Sequence, residues 1–180
     1  MAHREQFQFI QKVKNLYPTY FSTSKVLEVG SLNINGSVRQ FFTECDYIGI
    51  DVGPGLDVDL VVQGQDYDGP DDYFDVVISC ECFEHNPYWV ETFRNMHRVC
   101  KPNGLIIMTC ATTGRAEHGT ARTSPQDSPL TTLAGWDYYK NLTEQDFLDN
   151  FNLSEMFSSF EFDINSQFHD LYFVGTLPQQ

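Results

Sequence analysis

The chain has 180 residues, of which 41% are hydrophobic, 14% aromatic and 20% charged, as expected for one folded domain with a substantial core. Eleven Lys and Arg residues against 25 Asp and Glu residues give a net charge of −14, which disfavours nucleic acids and anionic membranes as partners. There is no apolar run of about 18 residues and no signal-like apolar stretch near residue 1, so we expect a cytoplasmic protein. The five cysteines form no pair at zinc spacing, so neither a disulfide nor a metal site is expected.

Hydrophobic periodicity predicts alternating helices and strands along the chain. Helices are predicted at residues 4–17, 36–42, 89–100 and 143–151, and strands at 25–30, 47–52, 58–62, 74–80 and 105–110, with a turn at 101–104. Two further strands, 157–164 and 170–177, are too close together for a crossover helix and should pair antiparallel. We therefore predict an α/β fold: a single domain over residues 1–180 with a doubly wound, mostly parallel sheet, helices on both faces and a C-terminal antiparallel β-hairpin.

The segment VLEVGSLNING at residues 26–36 reads as a buried strand that breaks into a turn bracketed by Gly30 and Gly36. In doubly wound sheets, the first such turn approaches the ligand most closely. Asp51 ends the next strand, 21 residues after Gly30, where an acidic side chain can accept both hydroxyl hydrogens of an adenosine ribose. The alternative is that these glycines and Asp51 only shape turns.

The ligand is not expected to be a dinucleotide, because the sequence after Gly30 lacks the G-x-G-x-x-G fingerprint. The strand instead carries Glu28, a carboxylate near its end, which favours a positively charged ligand. S-adenosylmethionine has both an ammonium and a sulfonium group.

Together with YIGIDV, FDVVISCECFEHNP and RNMHRVCKPNGLIIMT, this segment resembles the successive motifs of class I S-adenosylmethionine-dependent methyltransferases, most closely their small-molecule branch. The resemblance covers about residues 24–110 and implies S-adenosylmethionine as the cofactor. It places Glu28, Gly30, Cys80 and Glu81 near the methionine part of the cofactor. It implies that Asn33, Gly36 and Ser37 line the glycine turn. It also implies that Asp51 and Val52 hold the ribose, and that Gln65, Asp66 and Tyr67 lie against the adenine.

Methyl transfer needs mainly positioning, but a hydroxyl acceptor must also lose a proton to a base. His85 follows the fourth strand closely, and His118 lies in the loop after the fifth, so these are the candidate catalytic bases. The alternative for His85 is a structural role at a helix start. We expect a small-molecule acceptor, with a hydroxyl favoured and an amine or carboxylate possible.

Residues 111–141, here called the lid segment, show little regular pattern, and long loops of this kind are commonly binding loops or lids. The segment carries two arginines and several aromatic residues that would suit a ring-bearing substrate with an acidic or hydroxylated part. The candidate substrate-binding residues are Arg115, Arg122, Trp136, Tyr138 and Tyr139. The alternative is a structural insertion.

Three functions remain open at this stage. The first is an active small-molecule methyltransferase. The second is a catalytically silent domain that binds S-adenosylmethionine and serves as an interaction module. The third, a nicotinamide-dependent oxidoreductase, is disfavoured by the missing glycine fingerprint and by the terminal hairpin.

Overall fold

A seven-stranded sheet runs through the part of the chain that the structure, a computed structural model, describes, namely residues 3–179. Its strands are β1 (Lys25–Val29), β2 (Asp46–Asp51), β3 (Leu60–Val61), β4 (Phe74–Cys80), β5 (Cys100–Ala111), β6 (Ser159–Asn165) and β7 (Asp170–Thr176). Their order is β3-β2-β1-β4-β5-β7-β6. The first five are mutually parallel, whereas β7 is antiparallel to both β5 and β6. The predicted fold class is confirmed, including the C-terminal hairpin.

Helices cover both faces of the sheet because successive strand residues point to opposite sides. The helices are α1 (Arg4–Leu16), α2 (Trp89–Val99), α3 (Pro129–Leu133), α4 (Glu144–Asn150) and α5 (Leu153–Met156). On one face, Ile10 of α1 belongs to the same buried cluster as Val26 of β1. On the other, Leu27 of β1 belongs to a cluster that includes residues of α2 and α4.

The α2 face has an aromatic core that fixes the turn after β4. The buried residues of α2 recur at helical spacing, and Phe93 lies at their centre. Its ring centroid lies 4.9 to 6.3 Å from those of Phe83, Phe147, Phe151, Phe157 and Phe173. Phe83 belongs to the 3₁₀ turn Phe83–His85, so this packing holds the residues that follow β4 in one position.

The helix predicted at residues 36–42 is wrong. Gly36 has φ +130°, outside the helical region, and only a 3₁₀ turn forms at Val38–Phe41. The Ser37 side chain accepts a hydrogen bond from the Arg39 amide at 3.1 Å, which caps this short turn. The chain is extended again at Phe42 and soon enters β2.

The structure also corrects the predictions at residues 101–104 and 58–62. Residues 101–104 form no separate turn, because β5 begins at Cys100 and continues through them with a register shift against β4. The third strand is only Leu60–Val61, since the amides of Val58 and Asp59 are engaged by the carbonyls of Gly55 and Gly49. The lid segment contains more regular structure than expected, namely a 3₁₀ turn at Pro125–Asp127 and α3.

Candidate functional site

A cleft lies at the carboxyl ends of β1, β2 and β4, where ligands of open α/β sheets bind. The lid segment forms its opposite wall. The cleft is lined by Gln6, Glu28, Gly30, Ser31, Leu32, Ile34, Gly36, Ser37, Val38, Asp51, Cys80, Glu81, Cys82, His85 and residues 127–131.

The turn after β1 needs a glycine at position 30. Gly30 has φ +80°, and a Cβ added there would lie 2.6 Å from the Cys82 sulfur. Its amide donates to the Ile50 carbonyl at 2.9 Å, which draws the turn over the end of β2. Any side chain at this position would therefore be strained and would push the turn away from β4. Gly30 and Gly36 both line the cleft.

Glu28 brings a nearly buried carboxylate to the cleft. Only 4% of the residue is exposed, and Tyr47 Oη donates a hydrogen bond to its Oε2 at 2.8 Å. Burial raises the pKa of Glu28 to about 8, because one hydrogen bond does not replace the lost hydration of a carboxylate. A cation in the cleft would stabilise the ionised form of this group.

Asp51 ends β2 with its carboxylate held toward the glycine turn. Oδ2 accepts from the Leu32 amide at 3.0 Å, and Oδ1 accepts from the Val52 amide at 2.7 Å. Burial raises the pKa of Asp51, while these two hydrogen bonds oppose the shift. Each carboxylate oxygen can accept more than one hydrogen bond, so both can also accept from a ligand diol.

Glu81 combines backbone strain with an incompletely satisfied carboxylate. Its φ of +52° is uncommon for a residue with a side chain, and such residues are concentrated at functional sites. Thr109 Oγ1 donates to Oε1 at 2.9 Å, whereas Oε2 has no hydrogen-bond partner among the described residues. Burial, followed by the charge of Glu84, raises the pKa of Glu81 to about 7. The adjacent Cys80 also lines the cleft, and burial raises the pKa of its thiol.

Five residues predicted to bind the cofactor do not line the cleft: Asn33, Val52, Gln65, Asp66 and Tyr67. The Asn33 side chain shapes the glycine turn instead, by accepting from the Gly36 amide and donating to Asp57 Oδ2, both at 2.8 Å. The segment around Gln65 is tied to α2, because Asn95 Nδ2 donates to the carbonyls of Gly64 and Tyr67. The Tyr67 ring packs against Phe74.

The structure brings the two candidate catalytic histidines together. The rings of His85 and His118 meet edge to face with centroids 4.9 Å apart, and the Tyr139 ring lies 5.1 Å from that of His118. Only His85 lines the cleft. Burial lowers the pKa of His85 to about 3, so its imidazole is neutral near pH 7 and is a weak base. Gly119 permits the contact between the His85 and His118 rings, since its φ is +65° and an added Cβ would lie 2.6 Å from His85 Cε1.

Glu84 was not among the site residues predicted from the sequence. The residue is completely buried, and neither carboxylate oxygen has a hydrogen-bond partner among residues 3–179. All three residues of its turn, Phe83–His85, are buried by tertiary packing, which the local sequence does not show.

None of the residues predicted to bind substrate is among those that line the cleft. Arg115 Nη1 donates to Asp170 Oδ1 at 3.0 Å, and Arg122 pairs with Glu117 and Asp137 at 2.8 and 3.0 Å. The remaining three, Trp136, Tyr138 and Tyr139, likewise are not among the lining residues. The part of the lid segment that faces the cleft is residues 127–131, which the sequence did not indicate.

This sheet order, with a glycine turn facing an acidic residue at the end of the second strand, defines a class I S-adenosylmethionine-dependent methyltransferase fold. A family model described as a methyltransferase domain matches residues 1–167, and the chain belongs to that family. No individually curated protein shows significant sequence similarity to this chain. None of the helices in residues 3–179 is both long and apolar enough to span a bilayer.

Solved structures share this fold at low sequence identity. Phosphoethanolamine N-methyltransferase 2 of Haemonchus contortus, in complex with S-adenosyl-L-methionine, is 16% identical with a TM-score of 0.65. The match covers 96% of this chain and 52% of that one, so the chain spans about half the length of the Haemonchus enzyme. The 1,6-didemethyltoxoflavin-N1-methyltransferase of Burkholderia thailandensis, with bound 1,6-didemethyltoxoflavin and S-adenosylhomocysteine, is 11% identical with a TM-score of 0.61. The match covers 99% of this chain and 92% of that one.

A third structure contains a putative methyltransferase of Haloferax volcanii in complex with the Trm112 methyltransferase activator. It is 14% identical with a TM-score of 0.60, and the match covers 96% of this chain and 95% of that one. At these identities the likeness establishes the fold.

Proposed function

We propose that the protein transfers a methyl group from S-adenosylmethionine to a small molecule that bears a basic nitrogen. The observation that carries this proposal is the acidic lining of the cleft. Four carboxyl groups line it, those of Glu28, Asp51, Glu81 and Asp127, and no Lys or Arg does so among the described residues. Such a cleft favours cationic or amine-bearing ligands and disfavours carboxylates and phosphates.

Two of these groups suit the cofactor. Glu28 is nearly buried on the strand that precedes the glycine turn, where its carboxylate would pair with the ammonium of the methionine part. Asp51 would accept hydrogen bonds from the ribose hydroxyls, as its position at the end of β2 supports. The backbone around Gly30 allows the cofactor to approach closely.

The other two groups suit the acceptor. Glu81 and Asp127 come from opposite walls of the cleft, the first from the end of β4 and the second from the lid segment. A carboxylate attracts an amine and can receive the proton that the nitrogen loses. The His85 ring, which also lines the cleft, offers a further polar contact.

The reaction is an in-line displacement. The nitrogen lone pair forms a bond to the methyl carbon while the carbon–sulfur bond breaks, and its electron pair stays on sulfur as S-adenosylhomocysteine forms. Because the sulfonium already activates the carbon, the protein contributes mainly alignment. A hydroxyl acceptor, which the sequence favoured, would need a stronger base than an imidazole whose pKa is about 3.

The test is S-adenosylhomocysteine release with sets of acceptors that share one skeleton and differ only in an amine, hydroxyl or carboxylate group. We expect turnover with amine members. Preferential turnover of hydroxyl or carboxylate members would overturn the proposed acceptor class. Binding of S-adenosylhomocysteine without turnover of any member would favour the interaction-module alternative.

A pair of variants sharpens this test. Asp127→Asn removes a charge from the cleft wall and should lower kcat/KM for the amine about 10–100-fold, as expected for a charged hydrogen bond. Asp137→Asn is the matched control, because Asp137 is in the same segment but pairs with Arg122 outside the cleft. Equal effects of the two substitutions would contradict the role of Asp127.

A further inference from the structure

Three side chains that can each donate a lone pair converge behind the cleft, and we call them the acid–histidine cluster: Glu84, His85 and His118. Their ligand atoms all lie within 4.8 Å of one another. Glu84 and His85 belong to the 3₁₀ turn after β4, whereas His118 comes from the lid segment. The cluster therefore connects two parts of the chain that are distant in sequence.

The cluster contains four buried polar atoms without hydrogen-bond partners among the described residues. They are both carboxylate oxygens of Glu84, which is 0% exposed, and both ring nitrogens of His85, which is 2% exposed. Glu84 Oε1 lies 4.0 Å from His85 Nε2, too far for a hydrogen bond. Native proteins leave few buried polar groups unpaired, so this concentration indicates a ligand.

His118 is held in the state that a metal ligand needs. Its Nδ1 lies 3.0 Å from the Ala116 carbonyl oxygen, which can only accept a hydrogen bond, so Nδ1 carries the proton. The other nitrogen, Nε2, therefore has a free lone pair. Metal-binding histidines almost always donate their second N–H to a carbonyl or carboxylate in this way, which fixes the ring orientation.

We propose that Glu84, His85 and His118 bind a divalent transition-metal ion, with Zn²⁺ the best fit. One carboxylate oxygen and two imidazole nitrogens form a mixed donor set typical of zinc, whereas Mg²⁺ and Ca²⁺ prefer oxygen ligands alone. Bonds of about 2.0–2.2 Å in tetrahedral geometry place ligand atoms roughly 3.3 Å apart. The 4.0 Å between Glu84 Oε1 and His85 Nε2 must therefore shorten by less than about 1 Å.

The bound ion would fasten the lid segment to the turn after β4. Of the three ligands only His85 lines the cleft, so the ion lies behind the cleft wall. Gly119, next to His118, already packs against His85. Residues 127–131 of the same segment form the opposite wall, so fixing His118 limits how far that wall can open. This role does not depend on which acceptor is methylated.

The experiment uses the whole protein, dialysed against a chelator and titrated with Co²⁺ in the absence of any methyl donor. We expect one Co²⁺ per chain with the visible absorption of a four-coordinate ion, displaced by Zn²⁺. Glu84→Gln and His118→Gln should each weaken binding more than about 100-fold, because loss of an outer-sphere partner alone costs 10–100-fold. His97→Gln is the matched control, since His97 lies on α2 and its Nε2 hydrogen-bonds to the Met156 carbonyl, outside the cluster.

Hydrogen exchange supplies a second readout that does not depend on activity. Zn²⁺ should slow hydrogen exchange in the lid segment of the wild type and leave it unchanged in His118→Gln. No stoichiometric Co²⁺ binding by the wild type, or equal binding by wild type and both cluster variants, would overturn the proposal. Failure of the metal site would leave S-adenosylhomocysteine binding intact, so the two proposals are tested separately.

Discussion

Two buried acids near the carboxyl edge of the sheet, Asp170 and Glu84, are both 0% exposed but differ in their partners. Asp170 accepts hydrogen bonds from His3 Nε2 at 2.7 Å, Arg115 Nη1 at 3.0 Å and Tyr172 Oη at 3.1 Å. Neither carboxylate oxygen of Glu84 has a hydrogen-bond partner among residues 3–179. The comparison teaches that equal burial can mean opposite roles, since a satisfied carboxylate stabilises the fold and an unsatisfied one is available to a ligand.

The largest effect should come from breaking the satisfied group. Asp170→Ala leaves Arg115 and His3 without their shared carboxylate and should reduce the free energy of unfolding by about 3–5 kcal/mol, as for other buried ion pairs. Chemical denaturation of the variant and the wild type measures this difference. A reduction of less than about 1 kcal/mol in the free energy of unfolding would show that the pairing of Arg115 with Asp170 does not hold the lid segment to β7.

An intermediate effect is expected at Asp51, whose carboxylate oxygens each accept one backbone hydrogen bond. Asp51→Ala should weaken S-adenosylhomocysteine binding by about 1.5–3 kcal/mol, because two ligand hydroxyls lose a charged acceptor. Calorimetric titration measures the change. Asp71→Ala provides the control, as Asp71 pairs with Arg98 outside the cleft. Unchanged affinity in a folded Asp51→Ala protein would contradict the ribose assignment.

A smaller effect should appear in the pH dependence of stability. Burial raises the pKa values of Glu28 to about 8 and Glu81 to about 7, so between pH 6.5 and 8 the folded state binds protons that the unfolded state has released. Stability should therefore fall as pH rises through this window. The buried His85 acts in the opposite sense only between its pKa of about 3 and its unfolded value of 6.5, below the window.

Thermal denaturation at pH 6.5 and pH 8 tests this expectation. The transition temperature should be lower at pH 8, and Glu28→Gln should flatten the decline between pH 7 and 8. S-adenosylhomocysteine should also reduce the decline, because its ammonium stabilises the ionised carboxylate. A decline that is identical in Glu28→Gln would assign the effect to another group.

The smallest effect on stability should come from Glu84. Glu84→Gln keeps the shape of the side chain and removes no hydrogen bond, so the free energy of unfolding without metal should change by less than about 1 kcal/mol. Denaturation beside Asp170→Ala tests the contrast directly. A loss as large as that of Asp170→Ala would mean that Glu84 is a structural group after all.

The predictions from sequence succeeded where one chain segment determines the structure. The strand–glycine turn–strand order at residues 25–51 and the short link between β6 and β7 are local signals, and both were confirmed. The helix predicted at 36–42 failed because Gly36 leaves the helical region. The turn predicted at 101–104 failed because pairing with β4 absorbs those residues into β5.

Only the part of the candidate site that is formed by strand ends could be predicted from the sequence. Glu28, Gly30 and Asp51 lie near the strand ends that form the cleft, and topology alone brings them together. The partners of Arg115 and Arg122 come from residues as far away as Asp170, so sequence could not show that their charges are already paired. For the same reason, the meeting of His118 with Glu84 and His85 was not predicted.

The most direct test of the central claim is calorimetric titration of the wild-type protein with S-adenosylhomocysteine and, separately, with NAD. The cleft has a buried carboxylate beneath a glycine turn and lacks the dinucleotide fingerprint, so we predict saturable one-to-one binding of S-adenosylhomocysteine and none of NAD. Binding of NAD without binding of S-adenosylhomocysteine would contradict the account.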